Sequence, residues 1–395
     1  MNKELLDRRA LFACKGSAKM KKTIVLSVIS ILFILVGCMQ QQKEVRDVEL
    51  AADPVLQHKE NPFPTISLAA VGDVLIHDRV YNEAKTEDGY DFMPMVKSMQ
   101  PYMEAATVTF ANQETMIGGE EIGLSSYPSF NSPTEVGDAV KELGVDIVSI
   151  ANNHTLDRGE EAIFRAIDHW NKIGIPYVGA YESAEDASKV RVVETDEGIS
   201  LAFVAYTYGT NGIPVPTGKE YLVNFIDKKK IAADIAEAKK LADVVVTSLH
   251  FGEEYARMPN VTQKDLVQFV VDEGADIVLG HHPHVLQPVD WVEGKDGNKA
   301  FVVYSLGNFF SGQRDFEKQT GGMVQIEISK DPRTNTIEVH SPSFLMTYVT
   351  AEDWILYPFF ELTEEELEDH EKKYKQMKDH MSQWVPELEF VEERS

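Results

Sequence analysis

Residues 280–288 read GHHPHVLQP, so that His281, His282 and His284 follow directly on the apolar run ADIVL. Three imidazoles so close together are either a polar loop or one edge of a metal site, and what decides is whether ligand-type residues end other apolar runs. They do. ISLAAV ends in Gly72-Asp73, ATVTFA in Asn112-Gln113-Glu114, VDIVSIA in Asn152-Asn153-His154, ADVVVTSL in His250, and AFVVYSL in Gly307-Asn308. The candidate ligands are Asp73, Glu114, Asn153, His250, His282 and His284, a mixed nitrogen and oxygen set. Such a set suits Mn²⁺, Zn²⁺ or Fe and is wrong for soft copper or an all-oxygen calcium site. The only cysteines are Cys14 and Cys38, so no thiolate cage is available. Six ligands exceed what one tetrahedral zinc uses, which favours two divalent ions with Glu114 as the bridge. Two neighbouring ions can clamp the entering and leaving oxygens of a displacement.

Spacing divides the roles further. Side chains alternate along extended backbone, and Pro283 keeps His282 out of helical conformation, so His282 and His284 should face one centre and His281 should point elsewhere. His154 follows Asn153 and turns away from the ligand position, which suits a general acid or a donor to a developing oxyanion. Asp157, in NNHTLDRG, either orients His154 through its second ring nitrogen or caps the helix expected over GEEAIFRAIDHW.

The elements that carry these residues are short Val- and Ile-rich runs, each reading as a buried strand. Three are introduced alike, by a helical stretch, a Gly or Ala, and an Asp: AVKELGVDIV, EAKKLADVVV and VDEGADIVL. The two glycines stand where a helix C-terminus favours left-handed backbone. Strands alternating with helices of 10–15 residues imply an α/β fold with a sheet covered on both faces, and in such sheets ligands bind at the carboxyl ends of the strands. The polar clusters fall there and should converge.

The chain has 395 residues, 43% of them hydrophobic, enough for one large domain with extensions. A formal net charge of −26 argues against nucleic acid and anionic lipid surfaces as partners. Much of the acid lies in ELTEEELEDHEKK, which reads as the solvated face of a helix. Near the start, MKKTIVLSVISILFILVGC (residues 20–38) has the lysines, short apolar run and small-residue end of a secretory signal. Its ending, Leu35-Val36-Gly37-Cys38, resembles the bacterial lipoprotein box, which makes Cys38 a lipidation site and Met20 a natural start. Two acyl chains on Cys38 would hold the protein on the outer face of the cell membrane. The expected organisation is a signal segment over 1–38, a polar tether over 39–64, a catalytic domain over 65–315, and a C-terminal extension with an acidic helix over 316–395.

Taken together, AVGDVLIHDRV, FANQET, FNSPTEVGDAVKELGVDIVSIANNHTLDRG, LHFGEEY, GHHPHVLQPVD and YSLGNFF resemble the calcineurin-like metallophosphoesterase superfamily, and more closely its CapA branch of capsule and poly-γ-glutamate biosynthesis proteins. The resemblance implies a layered α/β/β/α sandwich with a C-terminal helical extension, and a phosphoesterase-type hydrolase or an accessory subunit working with the poly-γ-glutamate synthesis and export apparatus. It further implies that Asp73, Glu114 and His284 serve one metal and Asn153, His250 and His282 the other, with Glu114 shared and His154 as acid. Glu254 in LHFGEEY matches an acidic residue near the pocket. The chain departs from the superfamily at its opening Asp-x-His motif, because Val74 and Leu75 follow Asp73. His77 lies nearby at a spacing that does not replace the missing ligand.

Overall fold

A computed structural model describes residues 63–393. The expected signal segment, Cys38 and almost all of the expected tether lie outside the described residues. Fifteen strands are present among the described residues: β1 (Thr65–Leu75), β2 (Val108–Gln113), β3 (Ile147–Ser149), β4 (Tyr177–Val178), β5 (Arg191–Glu194), β6 (Ser200–Thr207), β7 (Val244–His250), β8 (Ile277–His281), β9 (Leu286–Glu293), β10 (Lys299–Leu306), β11 (Asn308–Ser311), β12 (Thr320–Asp331), β13 (Thr336–Val349), β14 (Leu356–Pro358) and β15 (Glu389–Phe390). They form two sheets. The first runs β14-β13-β12-β1-β2-β3-β4, with β11 beside β1 and β15 beside β13; the second runs β5-β6-β7-β8-β10-β9.

Three apolar layers hold this together. Ile66, Leu68, Phe110, Phe203, Val246, Leu279 and Phe301 fill the space between the sheets. Val71, Val74 and Val148 pack on the other face of the first sheet against Ile163, Ile167 and Trp170 of the helix Gly159–Ile173. Val245, Val278 and Val302 pack on the outer face of the second sheet against Ile231 and Ile235 of Lys228–Leu241 and Val267 and Val270 of Val261–Glu273. The order is helix, sheet, sheet, helix, the layered α/β/β/α arrangement implied by the resemblance. Strands β1, β2 and β3 are parallel neighbours, as are β7, β8 and β10, so in each sheet the carboxyl ends lie side by side.

The aspartate repeated before three strands has a mechanical role. Asp146, Asp243 and Asp276 each donate their own N–H to a carbonyl of the neighbouring strand (Thr109, Ser200 and Val245). Each carboxylate then accepts the N–H of that same residue, at 2.8, 3.0 and 2.8 Å. This two-point clamp sets strand register at the amino ends and hence how far the carboxyl ends project. Gly144 (φ 90°) and Gly274 (φ 105°) end the preceding helices in left-handed backbone.

The C-terminal portion differs from expectation. Residues 316–395 include β12 and β13, which extend the first sheet through antiparallel pairing of β12 with β1 over Thr65–Val71. They are therefore part of the sandwich and not an appendage to it, and the long-range pairing responsible leaves no local mark in the sequence. The acidic run is not helical before His370 either. Glu366 accepts the N–H of Thr363 and Glu364 that of Asp369, so these side chains compete for donors a helix would need, and the helix starts only at His370. Its Met377 and Met381 close one end of the core between the sheets.

Candidate metal centre

Each sheet delivers its ligands from strand ends, and backbone proximity aims them. β1 slips register against β2 between Val71 and Asp73. Gly72 makes this possible: a Cβ there would lie 2.0 Å from the Gly307 carbonyl oxygen. The Asp73 N–H instead binds that same oxygen at 2.9 Å. Gly280 allows β8 the same closeness to Tyr304. Asp73, Glu114, Asn153, His154, His250, His282 and His284 are all buried and lie together.

The imidazole pair reaches the centre for a different reason from the one its spacing suggested. β8 ends at His281, and beyond it His282 (φ 96°) and His284 (φ 57°) have left-handed backbone. Extended alternation therefore does not apply. Positive φ at two non-glycine residues is strained, and it turns both rings toward Glu114. His281 sits behind the centre, its Nδ1 3.4 Å from Asp73 Oδ1 and its ring against Phe110.

Two overlapping groups of ligand atoms could hold a metal ion: Glu114 with His282 and His284, and Asp73 with Glu114 and His250, each group within 4.8 Å. Glu114 belongs to both. Its Oε1 lies 3.5 Å from His250 Nε2 and 3.7 Å from His284 Nε2. These two groups pair His250 with Asp73 and His284 with His282, while His284 Nδ1 also lies 3.2 Å from Asp73 Oδ2, the pairing the resemblance implied. Asn153 joins the His250 side, its Oδ1 2.7 Å from His250 Nε2. His77 belongs to neither group; its ring packs on Phe130 and its Nδ1 lies 3.1 Å from the Leu75 carbonyl.

The fit to a cation rests on Glu114. Both its carboxylate oxygens are buried and neither has a hydrogen-bond partner. Burial pushes this carboxyl well above its ordinary range. A buried carboxylate with no donor is costly, and a divalent cation on each side removes the cost. Asp73 is also fully buried, but His281 and His284 outweigh burial and hold it well below the carboxylate range. Burial lowers His250 and takes His282 down to about 3, so both are neutral and ready to ligate. For His284 burial also acts downward, but Glu114 and Asp73 outweigh it and raise the imidazole to about 9.

Beside these groups, His154 Nδ1 lies 2.7 Å from Asp157 Oδ2, which also accepts the Phe130 N–H at 2.7 Å. Arg158 occupies the N-cap of Gly159–Ile173, with no side-chain cap bond. Of the two readings of Asp157, the structure thus displays the one that orients His154. Glu254 is exposed on the segment after β7, next to Tyr255, whose ring lies 6.2 Å from that of His284.

Sequence reasoning passed over several contributors. Asn112 donates to Asp73 Oδ1 at 2.8 Å, and Asn308 Oδ1 lies 3.1 Å from His284 Nδ1. Both stand at the ends of apolar runs, the signal that found the ligands. Tyr208, its ring 4.7 Å from that of His282, and Asn211, 3.4 Å from His154 Nδ1, come from the loop after β6 and carry no such mark.

Residues 67–313 match the family described as bacterial capsule synthesis protein. The chain belongs to that family. It is 28% identical over 326 residues to the capsule biosynthesis protein CapA of Bacillus anthracis, covering 80% of this chain and 74% of that one. It is 27% identical over 343 residues to the PGA biosynthesis protein CapA of Bacillus subtilis, covering 84% of each. A probable polyglutamine synthesis accessory protein of Mycobacterium tuberculosis is 22% identical over 180 residues, 43% of this chain and 46% of that one.

Two outcomes follow from this electrostatics. Because burial pushes the metal-free Glu114 carboxyl well above its ordinary range, Glu114→Gln should leave metal-free stability within about 1 kcal/mol. The same change should remove most of the thermal shift that Mn²⁺ gives the wild type, about 3 kcal/mol when the ion is about 100-fold above its Kd. Thermal melts with and without Mn²⁺ check this, and an equal shift in the variant would refute the role of Glu114. Ligation also requires neutral His284, which is protonated below about 9 in the metal-free protein. Mn²⁺ affinity should therefore rise at least tenfold per pH unit through neutrality, because binding displaces the proton of His284 together with any that burial keeps on Glu114. Calorimetry in buffers of different ionisation enthalpy reads both, and a pH-independent affinity would be the contrary result.

Proposed function

We propose that this chain serves the synthesis of a bacterial capsule or polyglutamate polymer at the cell surface, and that its centre hydrolyses a phosphoester or related bond in that process. The observation that carries the reading is Glu114, a buried carboxylate shared by two ligand groups and lying beside an oriented His154–Asp157 pair. Family membership and the names of the relatives support the process. The residues that would hold two ions, Mn²⁺, Zn²⁺ or Fe, are Asp73, Glu114 and His250 on one side and Glu114, His282 and His284 on the other, with Asn153 beside His250. Such ions, when bound, supply Lewis acidity toward the oxygens of an ester. The chain's own groups do the rest. Asp157 binds Nδ1 of His154 and leaves Nε2 to hold the proton for a departing oxygen, while Phe130, with its ring 4.7 Å away, fixes the imidazole plane. Asn112 and Asn308 keep Asp73 and His284 aimed.

A second reading, an accessory subunit of the polymer synthesis and export complex without turnover, is favoured by the ligand missing at Val74 and Leu75. Capsule formation in a deletion strain complemented with Asp157→Asn or with His282→Ala/His284→Ala separates the two. In the hydrolase reading both fail to restore capsule, and purified Asp157→Asn keeps its metal while kcat on a chromogenic phosphodiester falls about 10²–10⁴-fold. Full restoration by both variants would leave only the accessory reading.

The reading places the protein on the outer face of the membrane through lipid on Cys38. Labelling of cells with a clickable palmitate analogue should tag the wild type, and Cys38→Ala should lose the tag and leave the membrane fraction. Unchanged labelling in the variant would remove the anchor.

A further inference from the structure

Among the described residues, Arg165, Arg191 and Arg333 are all matched to carboxylates. Arg79 and Arg314 are not used in this way. Neither guanidinium makes a hydrogen bond, and the carboxylate near Arg79 is that of its sequence neighbour Asp78, 3.9 Å from Nε. That carboxylate oxygen already accepts the Arg79 backbone N–H and the Ser126 hydroxyl. What holds the two arginines is one indole: their Cζ atoms lie 5.8 and 5.4 Å from the ring centroid of Trp354. Trp354 is buried at 3% exposure in the apolar cluster that includes Val74 and Phe310, with left-handed backbone (φ 56°).

A guanidinium held by contact with an indole ring spends none of its N–H donors on that contact. Those donors form a fork that matches a carboxylate or phosphate bidentately. The position is close to the centre. The segment carrying Arg314 presses on the one carrying Arg79, since a Cβ on Gly312 would meet His77 Cβ at 2.8 Å and Arg79 Cγ at 2.9 Å. The side chain of Gln313 accepts from Asn308, which in turn contacts His284. On the other side His77 touches Phe130, and Phe130 touches His154. A polyanion approaching a chain of net charge −26 needs local cations to overcome the general repulsion.

We propose that Arg79 and Arg314, mounted on Trp354, form an anion subsite at the rim of the centre that binds carboxylates of an acidic polymer. The choice of polymer rests on the capsule reading above; the subsite itself rests on the free guanidinium edges. Arg314 and Trp354 lie outside the residues that match the family, 67–313, and Arg79 lies within them, so the C-terminal part of the chain completes this subsite.

The test measures binding, not turnover. Fluorescence anisotropy of a labelled γ-linked oligoglutamate titrated with the full chain should show affinity falling at least tenfold in Arg79→Gln/Arg314→Gln, with metal content and melting temperature unchanged. Each single variant should weaken binding at least threefold, which keeps the test independent of how the double variant folds. Trp354→Leu should weaken it as well, through loss of the platform. His282→Ala/His284→Ala should still bind the oligomer, so the subsite can stand even if the hydrolase reading falls. Equal affinity in wild type and double variant would overturn the proposal. So would binding of inorganic phosphate that the double variant loses with no binding of oligoglutamate by the wild type, because the subsite would then not be one for polymer carboxylates.

Discussion

A carboxylate without a hydrogen-bond donor, buried where two sheets meet, is the constraint on which this structure turns. Glu114 stands just past β2, and neither of its oxygens makes a hydrogen bond. In the metal-free protein burial pushes its carboxyl well above the ordinary range, and Glu114 and Asp73 together raise His284 to about 9. The surrounding residues are arranged around that unfavourable charge. Asp73, His250, His282 and His284 approach it from other strand ends, and amide side chains position them from behind. A core built for stability alone would fill this place with apolar groups; a cation is what makes the existing set coherent.

Local strain and close backbone contacts serve the same end. His282 and His284 have positive φ immediately after a regular strand, and β1 slips its register at Gly72 one residue before Asp73. The first follows β8, which Asp276 clamps to β7, and the second lies on β1, whose parallel neighbour β2 is clamped to β3 by Asp146. Regularity at one end of the sheets thus supports irregularity at the other, as expected when a scaffold must hold ligands against their own repulsion.

The C-terminal part of the chain joins this arrangement in two ways. β12 and β13 widen the first sheet beside β1, burying the strand that carries Asp73 on both edges. The turn between β13 and β14 sends Trp354 beneath Arg79 and Arg314. The site therefore draws on nearly the whole described chain, from Asp73 to Trp354.

Much of this is legible in the order of residues alone. Apolar runs ending in Asp73, Glu114, Asn153, His250 and the histidine cluster identify strands and candidate ligands because strand length, apolar content and an abrupt polar end are properties of a few neighbouring residues. The α/β class follows from the same local texture, and so does the recurring Asp before three strands, although not its clamping role. What depended on contacts distant in sequence was decided by the tertiary structure alone. The joining of β12 to β1 pairs residues as far apart in the chain as Thr65 and Ser329, and the acidic run after Glu361 stays out of helix because its carboxylates find backbone donors. The choice of Asp157 to hold His154 and not to cap a helix, the grouping of ligands around Glu114, and the meeting of Arg79 with Trp354 are of the same kind. Each depends on which side chains the folded backbone brings within a few ångströms, and local pattern carries residue type and periodicity but no such distance.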